Sequence, residues 1–393
     1  MNRTLTVAVV GTGFLARTRL QCWRKVHHAT VEVVVASRDR KSAEEFAAAN
    51  GADRAATIEE AFADPSVALV DLCVPNHAHA PLCEQAAAAG KHILCTKPLT
   101  AYWGQGLAED ASAAEVAATD RRRMLEAAVA DATTMVEACA AAGVQLFYGE
   151  NWIFAPAIAR AEALSAASKG VALELRGWES HSGSHAAYAR DWRFAGGGAL
   201  LRLGAHPIGA MLWWKRREGL RLRGKPTVVV AVTAEVADLS RAVGDAACEV
   251  AKDWSPVENW GSCVLQFDDG SRGVCHGSDN MLGGMQSHLT VLGSDHRFEC
   301  SLSPVDTLKS YAVRDGAFGD EYMMEKLHGQ AGWSTPLPDE LWFSGQQGLL
   351  QSVSDHLRDG TRSDVDGELG REVVRVVYAA YVSAVEGRRV PLR

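Results

Sequence analysis

A β-branched run from Thr4 to Val10 leads without a break into Gly11-Thr12-Gly13-Phe14-Leu15-Ala16, and few folds place that pattern at the start of a chain. A strand that ends in GxGxxA and opens a helix is the turn that receives a dinucleotide. The first glycine permits the tight turn, the second lets backbone approach a pyrophosphate, and Ala16 lets the helix lie close against the strand. The helix N-terminus, at Gly13, Phe14 and Leu15, then offers unpaired N–H groups and the positive end of a dipole to the phosphates, with Thr12 in the turn itself.

The residues that follow keep the same rhythm. A helix is expected from about Phe14 to His27, a strand over Val31 to Ala36, and a helix from Lys41 to Ala49 closed by Asn50-Gly51. Then come a strand over Val67 to Val74, a helix over His79 to Ala89 and a strand over His92 to Thr96. A last helix from Arg121 to Ala142 ends at Gly143 before a strand over Val144 to Tyr148. Alternation of this kind gives a parallel sheet covered on both faces, a doubly wound Rossmann domain over residues 1–149. Residues 101–119, rich in Ala, Asp and Glu, interrupt it and read as a surface insertion beside the substrate mouth or, equally, as a passive excursion.

Beyond Gly149 long strand-like runs dominate: Val171 to Trp178, Thr227 to Val236, and Cys263 to Phe267 joined through Asp268-Asp269-Gly270 to Ser271 to Cys275 as a hairpin. Residues 150–393 therefore read as an α+β domain with an open, largely antiparallel sheet, in which only Gly367 to Glu386 is strongly helical. At 393 residues and 47% hydrophobic content, two cores are affordable.

Where the second strand ends, a carboxylate would accept the ribose hydroxyls of NAD and repel a 2′-phosphate. The chain has Ala36-Ser37-Arg38-Asp39 there. A Ser37 hydroxyl and the Arg38 guanidinium can hold a 2′-phosphate through charge-assisted hydrogen bonds, which favours NADP over NAD. The alternative leaves Arg38 in solvent and gives the ribose to Asp39.

Other classes fall away on composition. A net charge of −8 leaves no general basic field for nucleic acid. The longest apolar runs, Val67 to Pro75 and Val228 to Ala234, fall short of the roughly 18 residues of a membrane helix. Met1-Asn2-Arg3-Thr4 runs directly into the first strand, so no export signal is expected. Nine cysteines, an odd number without a CxxC pair, fit a reducing cytoplasm and no disulfide framework.

Three further segments bring a family into view. Pro75-Asn76-His77-Ala78-His79 follows the strand that ends at Val74, Thr96-Lys97-Pro98 closes the strand that begins at His92, and Gly196-Gly197-Gly198-Ala199-Leu200-Leu201-Arg202-Leu203-Gly204-Ala205-His206 lies in the second half. With the glycine turn, these resemble the Gfo/Idh/MocA family, the glucose–fructose oxidoreductase and inositol dehydrogenase superfamily, over essentially the whole chain. The resemblance implies that residues 150–393 bind substrate and build the interface of a homo-oligomer, a dimer or tetramer, and it implies hydride transfer to or from a sugar, polyol or related compound. It implies that Pro75, Asn76, His79 and Thr96 line the cofactor towards the nicotinamide, and that Lys97 and His206 stand at the reacting carbinol. The family usually carries glutamate where this chain has Thr96, and aspartate where it has Arg202.

An ammonium beside the carbinol oxygen stabilises alkoxide charge, and an imidazole exchanges a proton near neutral pH, so Lys97 and His206 suit such a reaction. Arg202 inverts the charge expected at its position and makes an anionic sugar acid an eligible substrate, unless an acidic neighbour neutralises it. Glu179 to His185 supplies hydroxyls and imidazoles in a sugar-binding type of loop, with His181, His185 and, further on, Trp192 as substrate contacts; Trp333-Ser334-Thr335-Pro336 is a further candidate wall. His181 and His185 lack a third ligand, so no metal is expected. Two other functions use the same parts: an NAD-dependent glycoside hydrolase that oxidises and re-reduces its sugar with retained cofactor, and a non-catalytic sugar or nucleotide sensor.

Overall fold

The computed structural model describes residues 4–392 apart from 185, 253, 255 and 328. Six strands, β1 (Thr4–Val10), β2 (Thr30–Ser37), β3 (Arg54–Thr57), β4 (Val67–Leu72), β5 (His92–Thr96) and β6 (Leu146–Gly149), form one sheet in the order β3-β2-β1-β4-β5-β6. Every neighbouring pair is parallel. Because side chains alternate along a strand, Val7 and Val9 of β1 enter one apolar layer and Ala8 and Val10 the other. Those layers are capped by α1 (Phe14–Trp23), α2 (Arg40–Asn50), α3 (Ile58–Ala63), α4 (His79–Ala88), α5 (Ala113–Ala118) and α6 (Arg121–Ala141). The winding direction reverses between β1 and β4, which opens a crevice at their C-terminal ends. The β3–α3 unit has no counterpart in the sequence reading, since Arg54–Thr57 is a short edge strand without an apolar run.

The second sheet gathers β7 (Ala172–Ser180), β8 (Val229–Ala237), β9 (Trp260–Phe267), β10 (Arg272–Ser278), β11 (Gln286–Gly293), β12 (Arg297–Ser301) and, after the ribbon of β13 (Ser310–Ala312) and β14 (Gly332–Ser334), β15 (Val390–Pro391). Its order is β12-β11-β7-β10-β9-β8-β15, antiparallel except between β7 and β10. Helices in this half are α7 (Pro156–Ala167), α8 (Trp192–Ala195), α9 (Ala199–Arg202), α10 (Ala205–Arg223), α11 (Glu340–Phe343), α12 (Gln346–Asp359) and α13 (Gly367–Glu386).

The expectation of a single strong helix in the second half is thus corrected by α7, α10 and α12. From Ala205 through Trp214 every residue of α10 is buried, so the helix shows no polar face from which a period could be read. Pro207 falls in its first turn, where the missing N–H has no intrahelical role. The 101–119 segment is largely exposed but anchored at its base: Ala101 and Tyr102 are fully buried, and the Tyr102 N–H donates to Tyr378 Oη of α13 at 2.6 Å.

Candidate active site

At the crevice, Gly11 has φ +122°, and a Cβ there would stand 2.4 Å from the carbonyl oxygen of Cys73, so only glycine lets β1 pass so close to the end of β4. Gly13 is the N-cap of α1. A Cβ on it would meet nothing within 4 Å, no side chain caps the helix, and the first turn carries no acid. Ala16 is fully buried beneath, while Thr12, Gly13 and Phe14 are exposed and Leu15 half-buried. Uncapped N–H groups facing open space at a positive helix end fit a pyrophosphate.

At the end of β2, Asp39 is occupied elsewhere. It caps α2, accepting from the N–H groups of Lys41 (3.3 Å) and Ser42 (3.0 Å) and from the Ser42 hydroxyl (2.6 Å), and these bonds hold its carboxyl below the usual aspartate range. Ser37 is half-buried, and the exposed Arg38 forms no ion pair among the described residues.

The motif after β4 divides. Pro75 opens a single turn of 3₁₀ helix, and Asn76 Nδ2 donates to the carbonyl of Ala195 at 2.7 Å, tying the crevice rim to the second half. His79 is fully buried. Its Nε2 meets the Val74 carbonyl at 2.9 Å, and its Nδ1 meets the carbonyls of Pro98 and Leu99 at 3.1 and 3.2 Å. The ring fastens the exits of β4 and β5 to each other and is spent on that task, which replaces the expected cofactor contact with a scaffolding one. Thr96, buried at the end of β5, precedes the half-buried Lys97.

The glycine-rich segment is held from outside. Tyr378 donates to the Gly196 carbonyl at 2.7 Å, and Gly198 N–H donates to Glu258, whose carboxylate accepts from Tyr381 Oη at 2.7 Å. This fixes α9 and the start of α10, and with them Arg202 and His206. Lys97 Nζ donates to the backbone carbonyl of Arg202. The Arg202 guanidinium pairs through both terminal nitrogens with the fully buried Asp279 and lies 4.8 Å over the Trp254 ring. The charge inversion at position 202 is therefore cancelled within the protein.

His206 stands between two carboxylates. Its Nδ1 shares a 2.7 Å hydrogen bond with Glu150 Oε1, its Nε2 lies 3.9 Å from Glu179 Oε2, and its ring stacks on Trp152 at 5.8 Å with planes 10° apart. Burial shapes the titration of the whole group. It pushes the His206 imidazole well below its ordinary value, helped by the Lys97 charge, and lowers Lys97 itself against the pull of Glu179 and Glu150. It raises the Glu150 carboxyl well above the glutamate range and Glu179 to about 8. Glu150 and Asp279 belong to no motif in the sequence, and Glu179 is read there only as the start of the sugar-binding type of loop. Glu150 and Glu179 do follow or close strands beside the crevice, the position at which an isolated acid merits suspicion.

The remaining expectations scatter. His181 is buried, its Nδ1 accepts from Gly183 N–H at 2.9 Å, and it lies 3.5 Å from Asp279. His185 lies outside the described residues. Trp192 is a core residue, 1% exposed, donating to the Pro256 carbonyl and covered by Arg121 at 4.8 Å, so it packs under the site and does not face substrate. A cleft of about 1010 Å³ opens between the exposed Phe14 and a wall that includes Tyr188, Tyr322, Met324, Glu325 and Lys326. Neither Ala101–Thr119 nor Trp333 lines it; Trp333 is exposed on the β13–β14 ribbon.

Residues 5–126 match the model of the oxidoreductase family with an NAD-binding Rossmann fold, and residues 165–299 match the GFO/IDH/MocA C-terminal domain. GenD2 from gentamicin A biosynthesis, solved in complex with NAD, superimposes with a TM-score of 0.78 and 27% identity over 100% of this chain and 97% of that one. D-apiose dehydrogenase of Paraburkholderia graminis is 30% identical over 158 residues, 38% of this chain and 33% of that protein. Levoglucosan dehydrogenase of Pseudarthrobacter phenanthrenivorans is 30% identical over 105 residues, 25% and 27% of the two chains. The curated relatives are matched over only 20% to 33% of their own length. Two successive domain matches, on a crevice and a second sheet arranged as that architecture requires, place this chain in the Gfo/Idh/MocA family of oxidoreductases.

Proposed function

We propose that this protein is a nicotinamide-dependent dehydrogenase or reductase that interconverts a secondary alcohol and a ketone on a sugar or polyol. The observation that carries the reading is the convergence of Lys97 and His206, from opposite halves of the chain, on one enclosed site whose neighbouring crevice fits a dinucleotide. The nicotinamide, when bound, supplies the hydride acceptor or donor. The uncapped start of α1 binds the pyrophosphate, Lys97 stabilises negative charge on the substrate oxygen, and His206 handles the hydroxyl proton.

Two finer points follow from side-chain partners. Asp39 is engaged at the α2 cap while Arg38 stays exposed, which supports NADP over NAD. Arg202 is matched by Asp279, which supports a neutral substrate and removes the ground for an anionic one. The levoglucosan and D-apiose dehydrogenases act on compounds of this neutral class by their names, in agreement with that choice. The experiment is calorimetry with NAD and NADP on protein stripped of retained nucleotide, followed by a turnover screen of neutral, anionic and amino sugars read at the reduced-nicotinamide absorbance. Absence of binding by both nucleotides refutes the function. Tighter or equal NAD binding refutes the NADP preference, and preference for the anionic sugars refutes the neutral substrate.

A further inference from the structure

Oxidation of a carbinol removes a hydride from carbon, which the cofactor takes, and a proton from oxygen, which the protein must place. The imidazole of His206 is the obvious first recipient, yet it is poorly suited to hold a second proton. It is buried, it is stacked on Trp152, and Lys97 stands beside it. A group behind it must therefore share the proton.

Glu150 occupies that place. It follows β6 directly and is fully buried. Its Oε1 takes the N–H of Trp152 at 3.1 Å and the 2.7 Å bond to His206 Nδ1, while Oε2 has no hydrogen-bond partner among the described residues. Room for it is built into α10: a Cβ at Gly209 would press on Glu150 Cγ at 3.0 Å. The Nε2 side of the ring faces Glu179, also buried with an unpartnered Oε2. The other charged groups acting on this site are Lys97, Arg19, Arg202 with Asp279, and Glu325.

We propose that Glu150 is the proton-holding partner of His206, so that the imidazole passes a proton through itself without accumulating as imidazolium. In the oxidative direction the substrate O–H bond breaks as its proton forms a bond to Nε2. The Nδ1–H proton moves to Glu150 Oε1, and the oxygen lone pair closes the carbonyl as the hydride departs. Charge at the ring is unchanged, and Glu150 goes from carboxylate to carboxylic acid. After release of the ketone Glu150 returns its proton to Nδ1 along the same bond, and the substrate-derived proton on Nε2 leaves to water, which restores the carboxylate and the neutral ring. Burial supports the assignment, because it favours the neutral forms of both the ring and the acid. Glu150 is a positioning and proton-sharing residue and does not touch substrate.

The proposal rests on the dehydrogenase reading, and its test separates the two. Histidine labelled with nitrogen-15 is introduced into the full chain, and the His206 signals are assigned with a His206→Asn variant. In the native protein the Nδ1 resonance should move between about pH 5 and 9 as its bonding partner gains or loses a proton, with the ring remaining neutral. In Glu150→Gln that movement should vanish. For turnover, Glu150→Gln should lower kcat about 100-fold or more, lose one ionisation from the pH profile, and leave KM and the nucleotide Kd within about twofold. A native Nδ1 resonance that stays fixed over this range overturns the proposal even if the variant fails to fold. So does a folded Glu150→Gln enzyme with an unchanged pH profile. The resonance experiment needs no substrate, so absence of turnover with every sugar would count against the dehydrogenase reading alone.

Discussion

The Arg202–Asp279 pair allows a quantitative forecast. Asp279→Leu would leave a guanidinium whose side chain is only 12% exposed without its counter-ion, in a place where Trp254 covers one face. Breaking a buried pair from one side costs about 3–5 kcal/mol, and the residual exposure together with the π-contact puts this case near about 3 kcal/mol. Arg202→Met alone should cost a similar amount, since it strands a fully buried carboxylate. The double variant Arg202→Met/Asp279→Leu removes both desolvation costs and should lie within about 1 kcal/mol of the native protein. The backbone carbonyl of residue 202 that accepts from Lys97 is retained throughout. Denaturant unfolding of the four proteins, followed by tryptophan fluorescence, gives the cycle. Additive losses, with the double variant about 6 kcal/mol down, would show that the two groups are not partners, and a loss under about 1 kcal/mol for Asp279→Leu would show that the site is wetter than the burial implies.

Other outcomes are as definite. Arg38→Ala should weaken NADP binding about tenfold or more by calorimetry and leave NAD nearly unchanged; equal losses for both would remove the 2′-phosphate contact. Gly11→Ala should weaken binding of either nucleotide at least about tenfold, because the added methyl meets the Cys73 carbonyl at 2.4 Å and φ is +122°. A native Kd in that variant would contradict the close approach. Glu179 has a folded pKa raised to about 8 from 4.5, so the stability it contributes is full below about pH 4.5 and is lost as pH climbs through about 8. Glu179→Gln should therefore gain melting temperature relative to the native protein between pH 5 and about 8, and a constant difference over that window would show that Glu179 titrates normally.

Much of the first domain was visible in the chain because each layer of a parallel sheet demands it: Val7 to Val10 and Val33 to Ala36 are apolar at every position, as strands covered on both faces must be. The β3–α3 unit escaped although Thr57 and Glu60 form a reciprocal cap that can be read from their spacing. Helix α10 escaped for the opposite reason, since burial of every residue from Ala205 to Lys215 erases the periodicity that marks a helix. At the site, Lys97 and His206 could be placed by motif. Their partners could not: Glu150 is 56 residues from His206 and Asp279 is 77 from Arg202, separations that carry no local signal. His79 marks the limit of motif transfer, because the same imidazole can face a crevice or three backbone carbonyls, and only its neighbours decide.

Between β12 and β15 of the second sheet the chain returns to the first half. Leu349, Leu350 and Val353 of α12 complete the apolar layer over β1 and β2, and α13 lies along α6. A cut after Gly149 would consequently not liberate an independent nucleotide-binding unit; it would strip that unit of part of its own interior. Exchange of the second half between relatives would succeed only if α12 travelled with the first, and heat should melt the two halves in one transition instead of two.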